Sequence, residues 1–175
     1  TWNGGRAIEM ALAAFDNVDK VYYEGYDLFE DADEFTDATE MNTKPHNLYE
    51  AVNNRLKEFK TFVKEKMNKD FEFKLVKGDT KATLTQQKDF DIAYLDGGHS
   101  FETVQHDYNM TKDISVVVFD DYFTKDEKGK EVVDAHKGTN KVFDALNKKL
   151  RKKVLPSNDP VAGGGVTHLA IVIHK

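Results

Sequence analysis

The residues best suited to chemistry lie in one short stretch, from Phe90 to Ser100, where an apolar segment runs into an acid and a histidine. The run Ile92–Leu95 is typical of a buried strand, and Gly97–Gly98 allow a sharp bend after it. Asp96 and His99 flank the bend, and both side chains can take part in proton transfer. Ligands of open parallel sheets bind outside the carboxyl ends of the strands, so we expect a functional site here. A turn that merely holds polar residues is the alternative.

Acidic residues also follow the other predicted strands. The β-prone segment Val21–Tyr26 precedes an aspartate, and the alternating segment Phe71–Val76 precedes a Lys-Gly-Asp-Thr turn. The most hydrophobic strand, Ile114–Phe119, ends in two adjacent acids, which are costly unless solvated, paired or bound to a cation. In a parallel sheet these side chains share one rim, which suits a hydroxyl-rich nucleoside, a divalent cation such as Mg²⁺, or both. The acids expected on the rim are Asp27, Asp79, Asp96, Asp120 and Asp121.

A glycine turn, Thr1–Gly5, opens the chain and leads into a predicted helix over Arg6–Phe15. Such a turn binds an anion or nucleotide when a strand precedes it, because the helix amino terminus presents free N–H groups. No strand precedes it in the sequence, so either the natural protein has further residues upstream or the turn is only a flexible end. Asp27 is the first candidate for binding the ribose hydroxyls of a nucleoside, and Glu24 is the second.

The remaining elements alternate between strands and helices. We predict an acidic loop over 30–40, the clearest amphipathic helix over 48–67, a short helix over 82–87, and further helices from Ser100 and over 138–150. Short strands over 154–156 and 168–174 close the chain. This order predicts a single α/β domain over 1–175, with a doubly wound, mostly parallel sheet and a C-terminal antiparallel strand.

Composition narrows the classes of function. The 175 residues carry a net charge of −6 and no cysteine, which excludes disulfides, thiolate catalysis and cysteine zinc sites. The acidic balance argues against nucleic-acid binding. No apolar run is long enough to cross a membrane, and no basic-then-apolar segment opens the chain, so we expect a cytoplasmic protein.

Five segments in register resemble class I S-adenosylmethionine-dependent methyltransferases, a Rossmann-like fold. The resemblance is greatest to the family 24-like small-molecule O-methyltransferases, which carry a D-G-x-H-S-Y/F loop and include sugar methyltransferases of antibiotic pathways. The segments are Thr1–Gly5, Gly25–Phe29, Lys77–Thr80, Leu95–Glu102 and Val118–Tyr122.

The resemblance implies a role for each segment. The Thr1–Gly5 turn would hold the methionine part of S-adenosylmethionine, Asp27 the ribose, and Asp79 with Thr80 would border the adenine. Asp96 and His99 would be the catalytic residues, with His99 as general base. In metal-dependent relatives Mg²⁺ binds at the positions of Asp96, Asp120 and Asp121. The residues expected to contact the cofactor are Thr1, Trp2, Asn3, Gly4, Gly5, Glu24, Asp27, Gly78, Asp79, Thr80, Asp96, Gly97 and His99.

Two departures from the family are visible. The family's first strand, with its acid and first glycine, is absent before Thr1, so we expect further residues upstream in the natural protein. Some relatives carry an acid that can serve as base where Gly98 stands, so the identity of the base stays open.

The expected partner is a small-molecule acceptor such as a sugar or natural product. Metal assistance and assembly into a homo-oligomer are left open. The alternatives are a doubly wound nucleotide-binding oxidoreductase, disfavoured because the turn lacks G-x-G-x-x-G spacing, and a non-catalytic degenerate domain.

Overall fold

The computed structural model describes residues 1–40, 42, 44–161 and 164–174, without the side chains of 158 and 159. Contacts divide the chain into two compact units. The first unit comprises Thr1–Glu34 and Thr43–Thr83, and the second comprises Phe35–Asn42 and Leu84–Lys175. A single domain over the whole chain stays a prediction.

The first unit is a βαβ unit preceded by a helix. Helix α1 (Gly5–Ala14) leads to strand β1 (Lys20–Asp27), helix α3 (Tyr49–Phe62) with a π-helical end over Val63–Met67, strand β2 (Asp70–Lys77) and the one-turn helix α4 (Thr80–Thr83). A 3₁₀ turn covers Phe29–Asp31. Strands β1 and β2 are parallel, in register from Lys20↔Asp70 to Asp27↔Lys77. A parallel pair needs a crossover, which α3 supplies.

Apolar spacing explains the packing of the first unit. Val52, Leu56, Phe59 and Val63 recur every three or four residues, so they fall on one face of α3, and all four are buried. They form one core with Phe71 of β2, Ala7, Ala11 and Phe15 from α1 and its end, and Phe29. The helical run ends at Asn68, which takes a left-handed conformation with φ 52°.

The second unit contains a mixed four-stranded sheet in the order β3-β4-β6-β5. Its strands are β3 (Ile92–Leu95), β4 (Val116–Thr124), β5 (Arg151–Pro160) and β6 (Val166–Ile173). Strands β3 and β4 are parallel and joined through helix α5 (Phe101–Thr111), whereas β6 is antiparallel to both β4 and β5. Helix α6 (Gly138–Ala145) packs beside α5, and α2 (Glu34–Glu40) enters this unit from Phe35 onward.

Several predicted elements differ from the structure. Residues 34–40 form a helix instead of an acidic loop, and the predicted helix over 82–87 is a single turn at Thr80–Thr83. Helix α6 ends at Ala145 instead of residue 150, and β5 is ten residues long instead of three. Strand β4 continues beyond Phe119, because a register shift between Phe119 and Tyr122 accommodates the two acids as an irregularity inside the strand. Asp121 adopts φ 55° there.

The α/β class is confirmed by the two parallel strand–helix–strand units. The expected single sheet is not observed: the described strands form one sheet of β1 and β2 and another of β3, β4, β6 and β5. The sheet of β1 and β2 is parallel, whereas the four-stranded sheet has one parallel and two antiparallel pairings, so the described strands are not mostly parallel. The strands count as two sheets because no described strand is hydrogen-bonded to members of both.

Candidate functional site

In the first unit, the carboxyl ends of β1 and β2 lie at the same edge because the strands are parallel and in register. The Gly78 N–H donates to the Asp27 carbonyl at 2.9 Å, so the turn after β2 begins beside the end of β1. The Trp2 N–H donates to Asp27 Oδ2 at 2.8 Å. Three predicted cofactor-binding segments, the Thr1–Gly5 turn, Asp27 and Gly78–Thr80, are therefore brought together.

The glycine turn is held by its own hydrogen bonds and by α3. Gly4 takes φ 80°, and a Cβ there would lie 3.3 Å from Val52 Cγ1, so glycine fits both the backbone and the packing. The Gly5 N–H donates to Asn3 Oδ1 at 2.8 Å, and Arg55 donates to the Asn3 carbonyl at 3.2 Å. The turn is thus fixed against the start of α1.

Asp27 anchors this edge through both carboxylate oxygens. Oδ1 accepts from the Phe29 N–H and Oδ2 from the Trp2 N–H, each at 2.8 Å. The side chain remains 23 % exposed. Because a carboxylate oxygen can accept more than one hydrogen bond, Asp27 can still accept from ligand hydroxyls.

The indole of Trp2 lies on the same turn and is 50 % exposed. Its Nε1–H donates to the Pro45 carbonyl at 3.3 Å, and Lys44 Nζ lies 5.7 Å from the ring centroid. Asp79, after β2, accepts from the Lys81 N–H at 2.9 Å and so begins α4.

The Glu24 carboxylate accepts hydrogen bonds from neighbouring residues on β1 and β2. It accepts from Tyr26 at 2.6 Å, from Tyr22 at 2.9 Å and from Lys74 at 2.9 Å, and its side chain is 11 % exposed. Burial opposes ionisation, but these three donors together outweigh it and lower the pKa of Glu24 below its ordinary value. This geometry favours Asp27 over Glu24 as the ribose-binding acid.

In the second unit, the end of β3 leads through Asp96–His99 into α5. The Ser100 side chain accepts from the Thr103 N–H at 3.3 Å and caps the helix. Glu40, at the end of α2, accepts from the Ser100 N–H and from the Ser100 hydroxyl, each at 2.9 Å. A Cβ at Gly98 would lie 2.1 Å from Glu40 Oε2, so glycine at 98 makes room for that carboxylate.

His99 and Asp121 form the central pair of this unit. His99 Nε2 lies 2.8 Å from Asp121 Oδ2, and the two side chains are 26 % and 27 % exposed. The hydrogen bond to Asp121 is the main cause that raises the pKa of His99 above its ordinary value, and burial acts in the opposite direction. The His99 Nδ1 atom is buried and has no hydrogen-bond partner among the described residues.

Protein groups already contact both carboxylate oxygens of Asp120 and of Asp121. Tyr94 OH donates to Asp120 Oδ2 at 2.7 Å, and the Asp121 N–H donates to Asp120 Oδ1 at 3.0 Å. Thr167 donates to Asp121 Oδ1 at 3.2 Å, and His99 occupies Oδ2. The described residues contain no group of three or more acids or histidines arranged to hold a metal. The arrangement does not fit the Mg²⁺ site expected at Asp96, Asp120 and Asp121.

A small cleft beside the end of β3 and the irregularity in β4 is lined by several of these side chains. Its lining includes Asp96, Gly97, His99, Asp107, Asp120 and Asp121. Asp107, which sequence reasoning missed, is 7 % exposed, and a Cβ at Gly97 would lie 3.6 Å from its Oδ2. The missed signal was its spacing of three and four residues from Val104 and Thr111, both buried on α5.

Glu40 and His136 were also missed. Glu40 lies in a stretch whose charge favours a solvated loop, and the His136 ring stacks on His99 with centroids 5.9 Å apart. Neither contact has a sequence signal, since each joins residues more than 30 positions apart.

No protein family matches the chain by sequence, and no curated protein is significantly similar to it. Among solved structures, the chain is similar to an O-methyltransferase from Bacillus cereus in complex with SAH, with a TM-score of 0.46 and 11 % identity. It is also similar to a putative O-methyltransferase from Klebsiella pneumoniae, with a TM-score of 0.47 and 9 % identity. Each alignment covers 97 % of this chain and 80 % of the other. At these scores neither likeness indicates what this chain does.

Proposed function

We propose that this chain is an S-adenosylmethionine-dependent methyltransferase acting on a hydroxyl oxygen of a small molecule such as a sugar or natural product. The observation that carries the proposal is the edge of the first unit, where Asp27 is hydrogen-bonded to the Thr1–Gly5 turn and to Gly78. Sequence resemblance had assigned those same segments to one nucleoside cofactor.

The chemistry of that edge suits a nucleoside. Asp27 keeps acceptor capacity for a pair of ribose hydroxyls, and the two N–H groups already bound to it fix the carboxylate in one orientation. The amino terminus of α1 follows directly after the turn and presents N–H groups that favour a carboxylate, such as that of a methionine moiety. Half-exposed Trp2 offers an aromatic surface on the same turn.

The second unit supplies groups that handle protons. Bound S-adenosylmethionine supplies an electrophilic methyl group on a sulfonium. An acceptor hydroxyl must lose its proton as its oxygen attacks that carbon, so a nearby base accelerates the transfer. His99, Asp96 and Asp121 line one cleft of this unit, and we assign the acceptor molecule to that cleft. The proposal includes no step through Mg²⁺, because the described residues contain no group of three or more acids or histidines arranged to hold a metal.

Isothermal calorimetry with S-adenosylhomocysteine tests the proposal. The unaltered chain should bind it, and Asp27→Asn should weaken binding about tenfold, since a charged acceptor is worth about 1.5 kcal/mol or more. Asp16→Asn is the matched control, because Asp16 is exposed and lies after α1, at the other end of β1. Absence of binding, or equal affinity of both variants, would contradict the proposal. Binding of NADH instead would favour the oxidoreductase alternative.

A further inference from the structure

His99 has no ring nitrogen available to an acceptor molecule. Its Nε2 is 2.8 Å from Asp121 Oδ2, and its Nδ1 is buried without a hydrogen-bond partner among the described residues. A general base must come within hydrogen-bond reach of the proton that it takes, directly or through one water. In this arrangement His99 is held by the protein and cannot readily offer a nitrogen to a ligand.

A second imidazole lies directly against the first. The 3₁₀ turn Asp134–His136 precedes α6, and the His136 ring stacks on the His99 ring with an interplanar angle of 23°. The backbone fixes this approach, since the Gly138 N–H donates to the His99 carbonyl at 3.1 Å. A Cβ at Gly138 would lie 2.3 Å from that carbonyl oxygen, so glycine is required for the two segments to come so close.

We propose that His136 is the base that takes the proton of the acceptor hydroxyl, and that His99 with Asp121 is its positioning pair. The inference rests on the proposed methyl transfer. The O–H bond breaks and its proton passes to a neutral His136 nitrogen. The oxygen electron pair forms the new bond to the methyl carbon, and the electrons of the broken carbon–sulfur bond stay on sulfur.

The electrostatics agree with this division of roles. Burial and then the His99 charge lower the pKa of His136, and Asp121 acts weakly in the opposite direction. The pKa of His99 is raised by Asp121, with smaller contributions from Asp96 and Glu40. Lys137 next to His136 is paired with Glu131, and Asp134 is paired with Lys141. Two contacting groups whose pKa values are pushed apart are typical of an acid and base pair.

Diethyl pyrocarbonate tests the arrangement without any methyl transfer, because among histidines the reagent acylates only unprotonated imidazole nitrogens that it can reach. Peptide mapping of the full chain treated at about pH 6.5 follows each of its six histidines. We expect His136 to react at least about tenfold faster than His99. Equal rates, or faster reaction of His99, would overturn the assignment.

Methyl transfer from S-adenosylmethionine to catechol and to methyl glucoside tests the catalytic role. His136→Ala should lower kcat about 100-fold or more, the usual contribution of a general base, with affinity for S-adenosylhomocysteine unchanged. Added imidazole should restore part of the rate, which a merely structural defect would not allow. His106→Ala on α5 is the control. An active chain in which His136→Ala stays within twofold of His106→Ala overturns the role of His136 alone. An unaltered chain inactive on both acceptors overturns the proposed function with it.

Discussion

At the scale of single residues, the conformation of Asp121 places its carboxylate against the His99 imidazole. The irregularity in β4 gives Asp121 a φ of 55°, and its Oδ2 lies 2.8 Å from His99 Nε2. A non-glycine residue in this region carries a backbone cost that tertiary contacts must offset. Here those contacts are the His99 pair and the hydrogen bond from Thr167. The local strain thus coincides with the group that fixes the imidazole.

The pH dependence of stability follows from this pair. Asp121 raises the pKa of His99 in the folded chain, so the pair contributes stability fully below the unfolded pKa of about 6.5 and loses it as the pH rises through the raised value. Asp121→Asn keeps the shape but removes the charge. We expect its melting temperature to fall below that of the unaltered chain at about pH 5.5, with the difference shrinking by about pH 8.5.

Proton NMR titration of the His99 ring checks the cause. The His99 pKa should fall in Asp121→Asn, because the main group that raises it is neutralised. An unchanged pKa, or a stability difference that grows with pH, would show that Asp121 does not hold His99 in its charged form.

At Gly138 a side chain would clash with the backbone of a neighbouring segment. An added Cβ would meet backbone atoms, 2.3 Å from the His99 carbonyl oxygen and 2.7 Å from that of Ser100, so neither neighbour can rotate away. Gly138→Ala should lower the free energy of unfolding by about 1–3 kcal/mol in urea titrations. Gly97→Ala, whose Cβ would have an ordinary contact at 3.6 Å, is the control. Equal losses in both variants would refute the close approach.

At the scale of elements, α2 shows why an acidic segment can be ordered. Glu40 satisfies the Ser100 N–H at the start of α5, where free N–H groups favour a negative charge. It also accepts from the hydroxyls of Ser100 and Thr103. The helix is therefore held by contacts with a segment 60 residues away along the chain, which the composition of residues 30–40 does not reveal.

Removing this carboxylate should loosen the start of α5. We expect Glu40→Ala to lower the free energy of unfolding by about 1–3 kcal/mol, since three donors lose their acceptor. Glu34→Ala, at the exposed start of the same helix, should cost much less. Similar losses in the two variants would mean that the cap contributes nothing beyond helix propensity.

The elements that sequence predicted well are those with strong local patterns. Val52, Leu56 and Phe59 identify α3 by spacing alone, and the strands β1, β2 and β3 lie within a residue of their predicted bounds. Long-range contacts decided the rest. Strand β4 extends past Asp120 because its pairing with β6 resumes at Tyr122 after the irregularity. Strand β5 extends to Pro160 because it also pairs with β6. No local pattern encodes either partner.

At the scale of the whole molecule, the acids predicted on one rim are divided between the two units. Asp27 and Asp79 lie at the carboxyl ends of β1 and β2 in the first unit, and Asp96, Asp120 and Asp121 line a cleft in the second. Strand direction made both groups predictable, since parallel neighbours carry their ends on one edge. The hydrogen bonds that engage Asp120 and Asp121 were not predictable, because Tyr94 and Thr167 come from other strands.

The described part of the chain contains no helix long and apolar enough to cross a bilayer. A cytoplasmic location and a homo-oligomeric assembly stay predictions. Ion pairs such as Lys60–Glu72 and Lys64–Asp70 lie on the surface of the first unit. Exposed pairs of this kind contribute little to stability, so the two apolar cores are the main stabilising features.

The most direct measurement is a map of amide chemical-shift changes when S-adenosylhomocysteine is added to the ¹⁵N-labelled chain. If the first unit holds the nucleoside, the largest changes fall on the Thr1–Gly5 turn, Asp27 and Gly78–Thr80, and Asp27→Asn reduces them at an equal, subsaturating ligand concentration. Shifts that leave these three segments untouched, or no shifts at saturating ligand, would contradict the account.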